Sequence, residues 1–591
     1  MVPSTYEDGT LYNVLPSGNK APDETGNHNG YDQTRADFTF SRGSNLAATR
    51  VNSDGLIEKG RENLLLQSNQ FDTTWVSSNV SETSGQEGYD GSNNAWLLSI
   101  SGGSSTQRVE QSVTNSGVQT FSVYVKKGTL NWVRIRVNAT NVAQTYFDLE
   151  NGVAGNTQSG LIDRNIESVG NGWYRCSITF NSTSSVARIY PATGDNNTTQ
   201  SSGSIYIQNA QLEAGLVATD YIETGSTTAQ AGILEDMPRI NYDANGENGA
   251  LLLEPSRTNN ILNSEYFAGY SFTNGSITTN NTTSPEGLNN GSTFVESTAT
   301  GTHQMRITTG VTSGSDVTFS FYAKANGRDY VNFWEDVTTG HQAYFNLSTG
   351  VATNNGFTSV GIEDAGSGWY RCYGTKSSFG GSSFGARIHA SQGANFNSYA
   401  GDGESGYHIY GLQLESSASY PSSYVPTYGS AVTRSADFMS STNDLLSGAD
   451  DMAWFVEYTL EKESTSSFRN QLGYRDNANA NFYMVQFPNS NTHEFRYRGV
   501  AAQNIDMTPT IDEATYGLHR KIVYLKRGTT LKVFCNGSQV STITNAGATT
   551  FSTTDENFEV GSNYPPEMSI HQFSVFNGSI SDAEAIALTT L

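Results

Sequence analysis

One set of strand and turn strings occurs twice in this chain, and a sequence built that way must fold as two copies of one domain. Phe121-Ser122-Val123-Tyr124-Val125-Lys126 returns as Phe319-Ser320-Phe321-Tyr322-Ala323-Lys324. Tyr146-Phe147-Asp148-Leu149 returns as Tyr344-Phe345-Asn346-Leu347, and Gly172-Trp173-Tyr174-Arg175-Cys176 as Gly368-Trp369-Tyr370-Arg371-Cys372. Gln211-Leu212-Glu213 matches Gln413-Leu414-Glu415, Asp220 to Thr224 resembles Ser423 to Thr427, and Asn63-Leu64-Leu65 aligns with Asn260-Ile261-Leu262. The offset stays near about 200 residues and drifts by a few, as it does when insertions fall in loops. That period is too long for a solenoid repeat.

Inside each copy the pattern is strand, turn, strand. Val133, Ile135 and Val137 alternate with Trp132, Arg134 and Arg136, the period of a half-buried strand. Lys127-Gly128-Thr129, Asn151-Gly152 and Asn171-Gly172 punctuate the runs as turns. A third region follows Pro426 to Arg434, with runs such as Ala453 to Tyr458 and Leu531 to Phe534. It carries a hairpin signal at Cys535-Asn536-Gly537. Ser581 and Glu584 then form a capping box before Ala585-Ile586-Ala587-Leu588, which predicts a short terminal helix. Gly, Ser, Thr and Asn are abundant, but 31 Tyr, 28 Phe and 7 Trp spread along 591 residues argue for packed cores rather than disorder. The expectation is an all-β chain of three β-sandwich, jelly-roll-like domains in series. Their bounds are an N-terminal anchoring segment 1–60, repeat 1 at 61–224, a linker at 225–258, repeat 2 at 259–428 and a third sandwich at 429–591.

A net charge of −24 opposes a polyphosphate partner. No apolar run reaches the roughly 18–20 residues of a membrane helix. Met1 to Gly30 lacks the basic and apolar regions of a signal peptide. The 3 cysteines exclude a disulfide scaffold. The expectation is a soluble protein made in a reducing cytoplasm.

Basic and apolar strips precede each sandwich: Arg35 to Gly43 with Ala48 to Asn52, then Met237-Pro238-Arg239-Ile240 with Leu251 to Thr258, then Thr433 to Phe438. They read as docking segments between rigid units. Asp37 to Ser44, Ala48 to Glu58, Asn63 to Asn69, Gly172 to Arg175, Gln211 to Gly215, Met237 to Ile240 and Leu251 to Asn259, taken as a set, resemble tail-fibre and other virion appendage proteins of tailed bacteriophages. The resemblance covers most of residues 35–435. The repeated module resembles carbohydrate-binding jelly rolls, and the C-terminal region is similar to laminin G-like, concanavalin A-like sandwiches. What this implies is a virion protein, located on the particle, that displays sugar-binding folds toward a host surface. It implies partners among other virion subunits through the N-terminal segment, and homo-oligomers whose repeated sites add avidity.

No catalytic constellation assembles. The formal elbow Gly381-Ser382-Ser383-Phe384-Gly385 runs into strand-like Ala386-Arg387-Ile388 where a helix is required, and reads as a turn. The expectation is therefore no enzyme. Sugar binding has another signature: aromatic rings on the outer face of a strand, flanked by amides and charges. Trp132, Arg134 and Arg136 in copy one, and Tyr330, Asn332 and Trp334 in copy two, should face outward. The next strand should add Gln144, Tyr146 and Asp148, matched by Gln342, Tyr344 and Asn346. The glycan-binding candidates are Trp132, Arg134, Tyr146, Tyr330, Trp334 and Tyr344. The alternative is that these aromatics pack under a loop or against a neighbouring subunit. Trp173 and Trp369 should fill the same core slot, and Cys176, Cys372 and Cys535 should be buried and structural. A structural calcium is open, with Asp90 and Asp195 as ligand candidates and no EF-hand spacing. The leading functional expectation is host-surface glycan recognition; the alternatives are a purely architectural virion protein and a surface-polysaccharide hydrolase.

Overall fold

Period-two burial builds the two repeats. Along Trp132–Ala139 the even positions are half-buried while Val133, Ile135 and Val137 are fully buried, so the strand has a core face and an outer face. The computed structural model describes residues 39–43, 46–102, 107–139, 142–158, 160–198, 201–338, 340–441, 451–462, 518–544, 567–577 and 579–590, together with the strands 11–14, 471–476, 482–486, 494–498, 504–507 and 556–560. The chain is nearly all β. Among the described residues the only helix is Asp582–Thr589, started by the expected capping box between Ser581 and Glu584.

Repeat 1 places two six-stranded antiparallel sheets about one core. The first runs Leu161–Gly170, Trp173–Asn181, Val118–Lys127, Ser204–Ala214, Ala95–Ile100, Val80–Gln86. The second runs Val153–Thr157, Ala143–Asp148, Trp132–Ala139, Ser184–Ala192, Arg108–Asn115, Val76–Ser78. Phe121, Val123, Val133, Ile135, Phe147, Ile178 and Ile207 meet between them. Repeat 2 repeats this order strand for strand around Phe319, Phe321, Val331, Phe333, Phe345 and Ile388.

The duplication extends to buried polar atoms. Arg175 Nη2 donates to Ser122 Oγ at 3.2 Å and to Thr219 O, as Arg371 Nη2 does to Ser320 Oγ at 3.2 Å and to Ser422 O at 2.5 Å. Both copies carry the same bulge, between Ser122 and Tyr124 and between Ser320 and Tyr322. Asn209 and Gly411 occupy it at φ +51° and +57°, a left-handed conformation that glycine and asparagine adopt most readily. Asn63 Nδ2 donates to Ala210 O and Ile222 O, and Asn259 Nδ2 donates to Leu412 O and Val425 O. Asn259, rather than Asn260, is therefore the counterpart of Asn63. Matching the apolar letters shifted that alignment by one, whereas the buried amide sets the true register.

Trp173 and Trp369 are buried at equivalent positions, but each sits in a satellite cluster outside the main core. Trp173 packs with Tyr124, and Trp369 with Tyr322, Tyr410, Tyr424 and Ile57. Cys176 and Cys372 are buried free thiols, raised by burial, and Cys535 is buried.

The strips before the sandwiches are woven between them. Leu11–Val14 pairs with Phe573 to Phe576, and Thr39–Ser41 with Phe438 to Ser440. Ile240–Asn241 and Ala250–Leu253 extend the sheet of the third region, next to Glu567–Asn577 and Met452–Lys462. That region's core gathers Ala453, Phe455, Val523, Leu525 and Phe534 under Ile580 and Ala585. The turn at Asn536 and Gly537 has both residues at positive φ, as the hairpin signal predicts.

Three of these strips meet in one buried charge network. Arg239 Nη2 and Arg434 Nη1 each lie 2.7 Å from Glu254 Oε2, and Arg239 also pairs with Asp437. Arg42 Nη1 reaches Asp437 Oδ1 at 3.2 Å. Ser423 donates its N–H and hydroxyl to Glu254, while the arginines donate to the carbonyls of Thr49, Leu234 and Pro255. Arg239, Glu254 and Arg434 are 0–1% exposed. A second latch is Lys59, whose Nζ lies 2.5 Å from Glu265 Oε1 and also meets Glu286, among the rings of Tyr410, Tyr424 and Tyr428. Burial pushes its ammonium down to about 8.

Burial opposes ionisation of Glu254, but Arg434 and Arg239 outweigh it and hold the carboxyl well below the usual 4.5. A carboxylate with a depressed folded pKa stabilises above its unfolded value and loses that contribution as pH falls below it. Glu254→Gln is expected to lower stability by about 3–5 kcal/mol at pH 7, because it strands the buried Arg434 and leaves Arg239 with Asp437 alone. It should also flatten the decline in unfolding temperature below about pH 4.5. Thermal denaturation against pH, wild type beside variant, checks both.

Candidate functional site

The residues outside the core on Trp132–Ala139 share their face with three neighbouring strands. Register pairs Trp132 with Asp148 and Ala192, Arg134 with Tyr146 and Tyr190, and Arg136 with Gln144 and Arg188. One strand further, Arg188 stands opposite Glu110. The expected outward set of Trp132, Arg134 and Arg136 is thus on one face with Gln144 and Tyr146.

Arg134 organises the middle of that face. Its guanidinium lies 3.6 Å from the Tyr190 ring centroid and 5.7 Å from that of Tyr146, and Nη1 donates to the Tyr146 hydroxyl at 3.2 Å. Tyr146 and Tyr190 are each 3% exposed, so they form the floor and Arg134 the surface. Arg108 Nε and Arg188 Nε both bind Glu110 Oε2, at 2.7 and 2.5 Å. Arg136 Nε donates to Asn138 Oδ1 at 2.9 Å. Burial and the crowding of Arg134, Arg188 and Arg108 lower the Arg136 guanidinium from its ordinary value. Trp132 lies across the backbone of Gly155, where a Cβ would stand 2.7 Å from its Cζ3. Asp148 shares the edge, but its oxygens accept from Glu150 N and from Asn151 N and Nδ2. The carboxylate expected to face a sugar instead caps its own turn.

The same positions in repeat 2 carry different chemistry. Tyr330, Asn332 and Trp334 pair with Asn346, Tyr344 and Gln342 on one side and with Ser391, His389 and Arg387 on the other. Trp334 stacks on His389 with centroids 6.1 Å apart, and Arg387 lies 5.5 Å from the Trp334 ring. Arg306 and Arg387 both bind Asp336. Asn332 Nδ2 donates to Ser391 Oγ at 3.0 Å and also bonds Asn397. Tyr344 is 6% exposed and donates to Gln342 Oε1 at 2.8 Å.

Five buried polar atoms without a protein partner crowd this face: Gln304 Oε1, Asn332 Oδ1, Trp334 Nε1 and both ring nitrogens of His389. Gln304 pairs with His389 on the adjoining strand. Repeat 1 adds Arg134 Nε, at the place of Asn332, and Gln144 Oε1, at the place of Gln342. An unmet buried donor or acceptor costs about 1–3 kcal/mol, so such atoms invite water or ligand hydroxyls.

The strands Ser184–Ala192 and Ser383–Ser391, which supply Arg188, Tyr190, Arg387 and His389, were not expected at the site. The signal was present: Ala187-Arg188-Ile189-Tyr190 and Ala386-Arg387-Ile388-His389 alternate in the same phase. Only pairing the central strand with its neighbour in sequence hid it. Ser383 of the formal elbow begins the second of these strands. Among the described residues no three His, Cys, Asp or Glu side chains converge as a metal site. Asp90 accepts from the Ser92 N–H and hydroxyl, and Asp195 from Asn156 N. A cavity of about 580 Å³ lies away from both faces, at the junction lined by Lys59, Arg61, Asn115, Leu216, Glu286 and Tyr428.

No protein-family model and no curated protein matches the chain. Among solved structures, it is similar to the CBM40 module of the Ruminococcus gnavus IT-sialidase bound to alpha2,3 sialyllactose. The two are 17% identical over 24% of this chain and 84% of that one, with a TM-score of 0.21. It is also similar to a botulinum neurotoxin type C structure described as dependent on two ganglioside molecules for cell entry, at 14% identity and TM-score 0.22. The binding domain of Paraclostridial Mosquitocidal Protein 1 matches at 10% identity and TM-score 0.22. Each toxin match covers 26% of this chain, which spans about two fifths of those structures, 39% and 40%.

Burial, with Arg387 beside it, lowers the His389 imidazolium to about 4. In an NMR titration the ring is expected to stay neutral until the pH nears that value. Protonation near its ordinary 6.5 would mean that its cover opens to solvent.

Proposed function

We propose that this chain is a glycan-binding adhesin in which each repeated sandwich presents one sheet face to sugar. The observation that carries the proposal is that buried polar atoms lacking protein partners gather on the same face of both copies, beside Trp132, Tyr330 and Trp334. Rings at these places supply apolar area to a pyranose, and the unpaired amide, indole and imidazole atoms lie covered beneath them, where a hydroxyl reaches them when that cover opens. Tyr146 and Tyr344 act from below, as the floor that positions Arg134 and Gln342. The units are the sandwiches at 61–224, 259–428 and 429–591.

The strings shared with tail-fibre and virion appendage proteins support a place on the particle of a tailed bacteriophage. There the sandwiches face the host, the N-terminal segment meets other virion subunits, and copies assemble as homo-oligomers. Weak single-site binding suffices in such an assembly, since linked sites raise effective concentration. The third sandwich, by its likeness to laminin G-like domains, completes the display.

The full chain on a glycan array is expected to retain a defined subset of glycans. Trp132→Ala combined with Trp334→Ala should weaken them tenfold or more at unchanged circular dichroism. An array without any signal, or one unmoved by the double variant, would favour the architectural role, with these faces buried against other subunits.

A further inference from the structure

The two faces have diverged in charge. In a chain of net charge −24, repeat 1 gathers Arg108, Arg134, Arg136 and Arg188 on adjacent strands against Glu110 alone among them. Glu110 holds Arg108 and Arg188, which leaves Arg134 and Arg136 without a carboxylate among the described residues. Their only side-chain oxygen partners there are the Tyr146 hydroxyl and the Asn138 amide, and Arg134 Nε has no acceptor. Asp148 is consumed by its turn, and Asp195 stands at the far end beside Gly155 and Trp132. Repeat 2 has Asn332 and Trp334 where repeat 1 has Arg134 and Arg136, and its two arginines converge on Asp336.

Guanidinium groups on adjacent strands repel one another; burial first, and then these charged neighbours, lower the Arg136 guanidinium. A sheet face on an acidic protein keeps such a cluster at a cost unless an anion offsets it. Half-buried guanidinium groups that lack a carboxylate of their own suit the acid group of a carboxylate or sulfate. Trp132 lies on the same strand, two residues from Arg134, or about 7 Å. One sugar residue can therefore meet the ring while its acid group meets the arginines.

We propose that the repeat 1 face selects acidic glycans, binding the acid group of a uronate, sialate or sulfated sugar through Arg134 and Arg136, while the repeat 2 face takes neutral sugar. This rests on the glycan-binding reading above and sharpens it to a substrate class. Arg134 and Arg136 are the specificity-determining residues, and Tyr190 and Tyr146 position Arg134.

The test uses the full chain on an array that pairs each acidic glycan with its neutral counterpart of the same backbone, at low and at physiological salt. Wild type is expected to bind acidic members, less tightly as salt rises. Arg136→Gln, and Arg134→Gln with Arg136→Gln, should lose tenfold or more on those members while neutral binding stays. Arg134→Lys with Arg136→Lys should keep part of the acidic signal, which separates loss of charge from loss of packing over Tyr190. Binding confined to neutral members, or acidic binding untouched by Arg136→Gln and by the double variant, overturns the acidic assignment and leaves the glycan reading intact. Absence of all glycan binding overturns both.

Discussion

The structure hangs on five charges removed from water. Arg42, Arg239, Glu254, Arg434 and Asp437 come from segments spread over nearly 400 residues of sequence and meet at one point. Desolvating each ion costs several kcal/mol, and mutual attraction roughly returns that amount only when every partner is in place. The network therefore acts less as a store of stability than as a condition on assembly. A strip docked in the wrong place leaves a buried guanidinium or carboxylate alone. Lys59, with Glu265 and Glu286, applies the same condition where the first strip crosses onto repeat 2.

Two layers of the repeats differ in how closely the copies agree. The frame is duplicated down to single hydrogen bonds: the Arg175 and Arg371 donors, the Asn63 and Asn259 amides, and the bulge at Asn209 and Gly411. The outer faces kept position and changed chemistry. In register, Asn332 stands where repeat 1 has Arg134, Trp334 where it has Arg136 and His389 where it has Tyr190. Backbone geometry and packing tolerate such exchange because outer positions of a strand carry little of the core. One scaffold thus carries two faces of different chemistry.

Much of this was legible in the sequence, and the reasons differ by element. The sandwiches were readable because Val133, Ile135 and Val137 alternate with polar neighbours, and because the duplication lets each copy vouch for the other. The helix was readable from Ser581 and Glu584 ahead of Ala585-Ile586-Ala587-Leu588. The outward set on Trp132–Ala139 followed from period two. Strand partners were not readable: Ser184–Ala192 lies beside Trp132–Ala139 across some 45 residues of chain, and no local pattern announces that pairing. The state of a side chain was equally hidden. Asp148 looked available but is spent on its turn, and the Tyr146 ring lies beneath Arg134. The docking strips were recognisable as a set, while the buried network that joins Arg239 to Asp437 appears only when the fold brings them together.

Hydrogen exchange of the full chain tests most directly whether the strips form part of one buried frame. Amides of Thr49–Val51, Ala250–Leu253 and Val432–Arg434 are expected to exchange as slowly as those of the core strand Val118–Lys127. Exchange of these segments at the rate of exposed turns, with the sandwich cores still protected, would contradict it.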